Sequence, residues 1–149
     1  MATELTRAEL ESTGERDLGA TDWVEITQER VNLFADATDD QQWIHVDLEK
    51  AAAGPFGGTI AHGYLSLSLL PELLGQLLRV TDARMGVNYG AEKLRFTSPV
   101  PVGSRVRAAA RLLGAERRGE GILYRVGVRI EIEGAEKPAM VGEVLYIVF

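Results

Sequence analysis

Apolar positions along this chain change their period twice, and the changes mark its elements. Between residues 64 and 79, Leu65, Leu67, Leu69, Leu70, Leu73, Leu74, Leu77 and Leu78 cover most of a helical circumference. Only Glu72, Gln76 and Arg79 form a polar stripe, so the spacing predicts a helix buried on nearly all sides. Pro71 removes one of its backbone hydrogen bonds and is expected to bend it. After Thr81 the period falls to two, and 87–96, 104–113, 122–132 and 140–149 read as four long strands joined by turns containing Gly and Pro. Strands in such succession suit an antiparallel meander. Upstream, Trp23-Val24-Glu25-Ile26 alternates like a short strand. Thr27 is a candidate N-cap for a helix running to about Ala37, with Val31, Phe34 and Ala35 on one face. A short helical turn is expected at 47–52. Residues 1–15 are polar and without periodicity, and are expected to be a flexible tail ahead of a domain at 16–149. One buried helix followed by a long sheet predicts an α+β domain with the sheet wrapped around the helix.

Composition narrows the classes without altering this outline. At 149 residues the chain is one domain able to bury a real core, and 46% hydrophobic with 26% charged residues is a globular balance. A net charge of −6 argues against a nucleic-acid surface. There is no cysteine, which removes disulfides, Cys-based zinc sites and thiol nucleophiles. No signal-peptide h-region and no membrane-length apolar run is present, so the expected location is cytoplasmic.

The chemistry concentrates in two short stretches. Residues 38–45 place Asp40 five positions before His45, one of two histidines, and the loop 54–63 ends in Ile60-Ala61-His62-Gly63 just before the apolar helix. A carboxyl and an imidazole can share proton transfers, while free backbone N–H groups can stabilise a developing oxyanion. On spacing alone, however, an Asp and a His in a loop are more often a cap and a surface residue. Asp39 adds a neighbouring charge that would favour protonation of both. Asp40, His45 and His62 could in principle ligate a metal, but the spacing matches no metal motif and none is expected. The glycine-rich loop lacks the Gly-Lys-Ser/Thr of a phosphate loop. Ser66 and Ser68 lack a nucleophile elbow and are expected to bond Asp40 or, more readily, the helix backbone. Lys93, Arg95 and Arg105 are candidates for phosphate contacts, though basic residues on strands are commonly just solvated.

With these residues in view, the chain resembles the MaoC-like dehydratase family, whose members include (R)-specific enoyl-CoA hydratases. Its hydratase motif has an Asp, a variable residue, Asn-Pro, an aliphatic residue and His; here it reads Asp40-Gln41-Gln42-Trp43-Ile44-His45. Gly54-Pro55-Phe56-Gly57-Gly58-Thr59-Ile60-Ala61-His62-Gly63 is similar to the family's loop into its central helix. Asn88-Tyr89-Gly90 and the run from Arg95-Phe96 to Pro99-Val100-Pro101-Val102-Gly103 resemble its first long strand and turn. Two departures stand out: Gln42-Trp43 replaces Asn-Pro, and Asp39 precedes the acid where the family often has Gly.

The resemblance implies a single hot-dog domain spanning roughly residues 20–149. It implies reversible hydration of trans-2-enoyl-CoA to (R)-3-hydroxyacyl-CoA, with Asp40 and His45 as the catalytic acid–base pair. Gly63 would polarise the thioester carbonyl, His62 would orient the loop, and Lys93 and Arg95 would be candidate CoA contacts. Acyl-CoA is then the substrate, no separate cofactor is implied, and the expected assembly is a homodimer without nucleic-acid or membrane partners. Two rivals remain: a hot-dog acyl-CoA thioesterase using Glu72, and a non-catalytic acyl-CoA-binding or partner subunit with a decayed site.

Overall fold

In the long strands, alternation sends one set of side chains inward and the other out. In the strand Arg105–Arg118, Val106, Ala108, Ala110 and Leu112 are buried, whereas Arg105 and Arg111 between and beside them are exposed. The computed structural model, which describes residues 1–149, orders the elements as β1 (Thr3–Leu5), α1 (Arg7–Ser12), β2 (Arg16–Ala20), β3 (Val24–Glu25), α2 (Gln28–Thr38), α3 (Trp43–Val46), α4 (Leu48–Ala52), α5 (Gly63–Ser68), α6 (Leu70–Gly75), β4 (Leu78–Val80), β5 (Gly86–Phe96), β6 (Arg105–Arg118), β7 (Gly121–Ile132) and β8 (Met140–Val148). The sheet order is β2-β6-β7-β8-β5, all antiparallel, with β3 also on β6. The inner face packs on α5 and α6 through Leu65, Leu70, Leu73 and Leu74. This is the α+β arrangement expected, a sheet around a central apolar helix.

Three expectations need correction. The four strands do not form a simple meander: β6, β7 and β8 do, but β5 pairs with β8 at the far edge. The connection 97–104 crosses the end of the sheet and pairs with the segment leading into α5 through Ile60 and Pro101. The helix expected over 64–79 is shorter and interrupted. Pro71 cannot donate, and Ser68 Oγ turns back onto the Tyr64 carbonyl at 2.7 Å, so α5 and α6 meet at Leu69 with the backbone still right-handed. Leu78 and Val80 belong to β4.

Residues 1–15 are not a tail. β1 pairs in parallel with β4, and α1 begins with a capping box in which Thr6 and Glu9 bond each other's backbone N–H. Leu5 and Leu10 are buried in the core, and β2 follows at once. No helix is long and apolar enough to cross a membrane.

Candidate active site

Thr27 caps α2 as anticipated, its hydroxyl accepting from Arg30 N at 3.1 Å. The helix ends at Asp39, whose backbone is left-handed (φ 59°), the conformation glycine adopts without strain. That explains why glycine suits this position in the related motif. The left-handed residue turns the chain so that Asp40 leads directly into α3, which carries His45. Gln42 is the N-cap of α3 but makes no side-chain cap bond. Trp43 occupies the first helical position, where proline is favoured. Its ring packs against Gly54 and under the Lys50 ammonium, 4.8 Å from the ring centroid, so it does not cover Asp40.

The segment 59–62 is pinned on both sides. Ile60 N donates to Ile44 O at 3.0 Å, and Ala61 N donates to Val100 O at 2.8 Å. Gln28 ties the corner together: its amide nitrogen donates to the His45 carbonyl at 2.8 Å, and its oxygen accepts from Thr59 Oγ at 2.7 Å. Gln28 did not stand out in the sequence, because its partners lie 17 and 31 residues away.

These supports bring Asp40, His45 and His62 together. The two imidazoles stack with centroids 3.8 Å apart and planes 22° from parallel, and Phe34 packs on the far side of His62 at 4.9 Å. His45 and His62 are 7% and 3% exposed, while the Asp40 side chain is 52% exposed. His62 Nε2 lies 3.0 Å from the Asp40 backbone oxygen and 4.0 Å from its carboxyl. A carbonyl oxygen only accepts, so Nε2 carries the proton and donates, leaving the buried Nδ1 without a partner. By the same logic His45 Nδ1 donates to the Ile60 carbonyl at 2.7 Å, and its Nε2 presents a lone pair. Burial pushes His45 below the ordinary histidine value of 6.5; proximity to His62 lowers it further, while the Ile60 bond and Asp40 pull it partly back. His45 is therefore a neutral acceptor at neutral pH, rather than titrating there as its unperturbed value suggests.

One ligand atom from each of Asp40, His45 and His62 falls within 4.8 Å of the others. Imidazole lone pairs lie in the ring plane. A point about 2 Å from nitrogens on both stacked rings would lie out of both planes, so the arrangement does not suit an ion.

His45, Gly63 and Ser66 line one cleft of about 230 Å³, closed on the other side by Phe96 and the 97–100 segment. A Cβ on Gly63 would lie 2.9–3.1 Å from the Phe96 ring, so the glycine is required by this close approach. Gly63 N–H has no acceptor within the chain, but α5 has only six residues, so a helix-end field adds little. Ser66 is 3% exposed and its hydroxyl makes no bond to Asp40 or to the backbone. The signal for it is local: a serine three residues after Gly63, set between Leu65 and Leu67. Lys93 and Arg95 do not line the cleft. Lys93 pairs with Glu143 at 3.9 Å, and Arg95 bonds only the adjacent Leu94 carbonyl. Arg105 is held by Glu133.

Comparison with known proteins bears on the family and the fold. The family model described as MaoC like domain matches residues 9–133. The chain is 54% identical over 144 residues to 3-hydroxyacyl-thioester dehydratase Z of Mycobacterium tuberculosis, covering 96% of this chain and 95% of that one. It is 42% identical over 148 residues to Nodulation protein N of Rhizobium leguminosarum bv. viciae, covering 97% and 92%. Among solved structures, the unliganded R-hydratase PhaJ1 from Pseudomonas aeruginosa is similar over 97% of this chain and 85% of its own, with a TM-score of 0.74 and 26% identity.

Proposed function

Because this chain belongs to the MaoC-like dehydratase family, we propose that it is a hydro-lyase that reversibly hydrates trans-2-enoyl-CoA to (R)-3-hydroxyacyl-CoA. The observation carrying this reading is the neutral His45 with its free Nε2, which lines a cleft that also presents the unpaired Gly63 N–H. Asp40 does not line that cleft, but has a carboxyl oxygen within 4.8 Å of the imidazole. Gly63 N–H and the Ser66 hydroxyl face the thioester carbonyl and stabilise the enolate-like transition state. A water bound between Asp40 and His45 loses one proton to Nε2 as its oxygen bonds to the β-carbon. The protonated Nε2 then delivers that same proton to the α-carbon, which returns His45 to its neutral form, while the Asp40 carboxyl oxygens accept from the second hydrogen of the water and hold it in place. His62 is a positioning residue: it stacks on His45 and holds the Asp40 backbone. Of the basic candidates, Arg95 is preferred for a CoA phosphate, since it adjoins Phe96 of the cleft and has no carboxylate partner; Lys93 is offset by Glu143.

A homodimer belongs to this reading. β5 ends the sheet with an unpaired edge, and its Val87, Tyr89 and Phe96 are 44%, 51% and 45% exposed. A second copy covering that strand would remove an aggregation-prone edge. Sedimentation showing only monomer at assay concentrations would remove this part.

The test of the chemistry is loss of enoyl absorbance with crotonyl-CoA, wild type beside Asp40→Asn. Rapid loss, reduced by about 10²–10⁴-fold in the variant, is expected. Release of free CoA instead would favour a thioesterase, although Glu72 lies outside the His45 cleft.

A further inference from the structure

Gly63, Leu67, Pro71 and Leu74 recur at helical spacing and share one face of the α5–α6 rod. Gly63 lines the His45 cleft, Leu67 and Pro71 line a second cavity of about 420 Å³, and Pro71 and Leu74 line a third of about 230 Å³. The last two share Pro71, Asn88 and Tyr146 and so form one groove. The His45 cleft shares no residue with it, but its Ser66 is followed directly by Leu67 and Ser68 of the groove, so the groove begins where the cleft ends. Leu74 lies roughly 12–16 Å along the helix from Gly63. The helix side of the groove is apolar except for Ser68, whose hydroxyl is already bonded to the Tyr64 carbonyl, and suits an alkyl chain. The sheet side differs. Asn88, Tyr146 and Tyr124 are register neighbours across β5, β8 and β7, and all three line the third cavity.

These polar groups are unused by the fold. The only phenol engaged in a hydrogen bond within the chain is that of Tyr89, to Arg118, and the Asn88 amide has no partner either. Burial pushes both Tyr124 and Tyr146 up to about 12, so each keeps its proton and can donate or accept. No Lys or Arg lines either cavity, which leaves nothing to balance a carboxylate. We propose that Asn88, Tyr124 and Tyr146 form a recognition site for an uncharged oxygen function, a hydroxyl or keto group, on the tail of a medium-length acyl thioester. The assignment rests on the hydratase reading and names the substrate class of that site.

The test is calorimetric binding of unreactive saturated acyl-CoAs over a series of medium chain lengths, each with a plain, an ω-hydroxyl or an ω-carboxyl terminus. At the matching length the hydroxylated tail is expected to bind about tenfold tighter than the plain one, with the carboxylated tail weakest. In the folded Tyr124→Phe/Tyr146→Phe double variant that ratio should fall to near unity; Tyr146→Phe alone serves if the double variant does not fold. Equal binding at every length, a preference for the carboxylate, or a hydroxyl preference that survives both substitutions overturns the assignment. Crotonyl-CoA is too short to reach the row, so its turnover judges the hydratase reading separately.

Discussion

Val106, Leu112, Ile130 and Met140 are fully enclosed between the sheet and the central helix, and each sits in a strand bonded to neighbours on both sides. The corner spanning residues 28–63 is built otherwise. There the Gln28 side chain and the Ile60–Ile44 backbone bond join the His45 turn to the 59–62 segment, one bond fixes the His45 ring, and one bond joins His62 to the Asp40 backbone. In the wall, a missing contact leaves many others holding the same geometry. In the corner, only a few bonds and one ring stack set where the reacting atoms sit. The same fold thus separates residues that set stability from residues that set position.

The sharpest way to break this contrast is to substitute one residue of each kind. His45→Gln is expected to lower kcat by about 10²–10⁴-fold, measured by enoyl absorbance, while melting near the wild-type temperature. Ile130→Ala should lower unfolding free energy by about 2–5 kcal/mol in urea, yet leave kcat per folded molecule nearly unchanged. If Ile130→Ala cost as much activity per folded molecule as His45→Gln, the division would be false. Gln28→Ala tests the tie between the two behaviours. It strands the His45 carbonyl and the Thr59 hydroxyl, so a loss of about 1–3 kcal/mol is expected together with a fall in kcat.

Acidity separates the regions more gently. His45 is held below its ordinary value in the folded chain, so on acidification the unfolded chain takes up this proton first. Its contribution to stability is therefore complete above about 6.5 and is lost as pH falls from there through the folded value. The acid limb of kcat/KM should lie below 6.5, since protonated Nε2 can no longer accept from water. A limb at or above 6.5 would mean that burial does not govern this imidazole.

Sequence periodicity captured the wall far better than the corner, and the reason is physical. Long strands packing on one helix stamp period two onto 105–118 and 121–132, a signal summed over many residues. Thr27 and the Asp40/His45 motif were legible because caps and motifs are local. The stacking of His62 on His45 and the reach of Gln28 depend on distant partners and leave no periodic trace. Two local signals were overlooked: the capping box at Thr6 and Glu9, and the weight of Pro71 in dividing the central helix. The strand order was out of reach, since pairing β5 with β8 rather than β6 depends on the path of the 97–104 crossing.

Asp39 is where both regimes meet in one residue. Its left-handed backbone ends α2, and it immediately precedes Asp40. Replacing it with glycine relieves the crowding of Cβ in that conformation but adds freedom to the unfolded chain, two opposing effects of about 1 kcal/mol each. Because a strained left-handed residue generally costs more than the added entropy, Asp39→Gly should gain a few tenths of a kcal/mol, about 0.5, in urea unfolding. Asp39→Asn tolerates the same backbone and removes only the charge, so its stability should match wild type. The charges that act on His45 are those of His62 and Asp40, and Asp39 is not among them. Both variants should therefore keep the acid limb of kcat/KM in place. A limb shifted equally by Gly and Asn would make Asp39 an electrostatic partner of the pair; a change in stability with Gly alone leaves it a turn residue whose task is to aim Asp40.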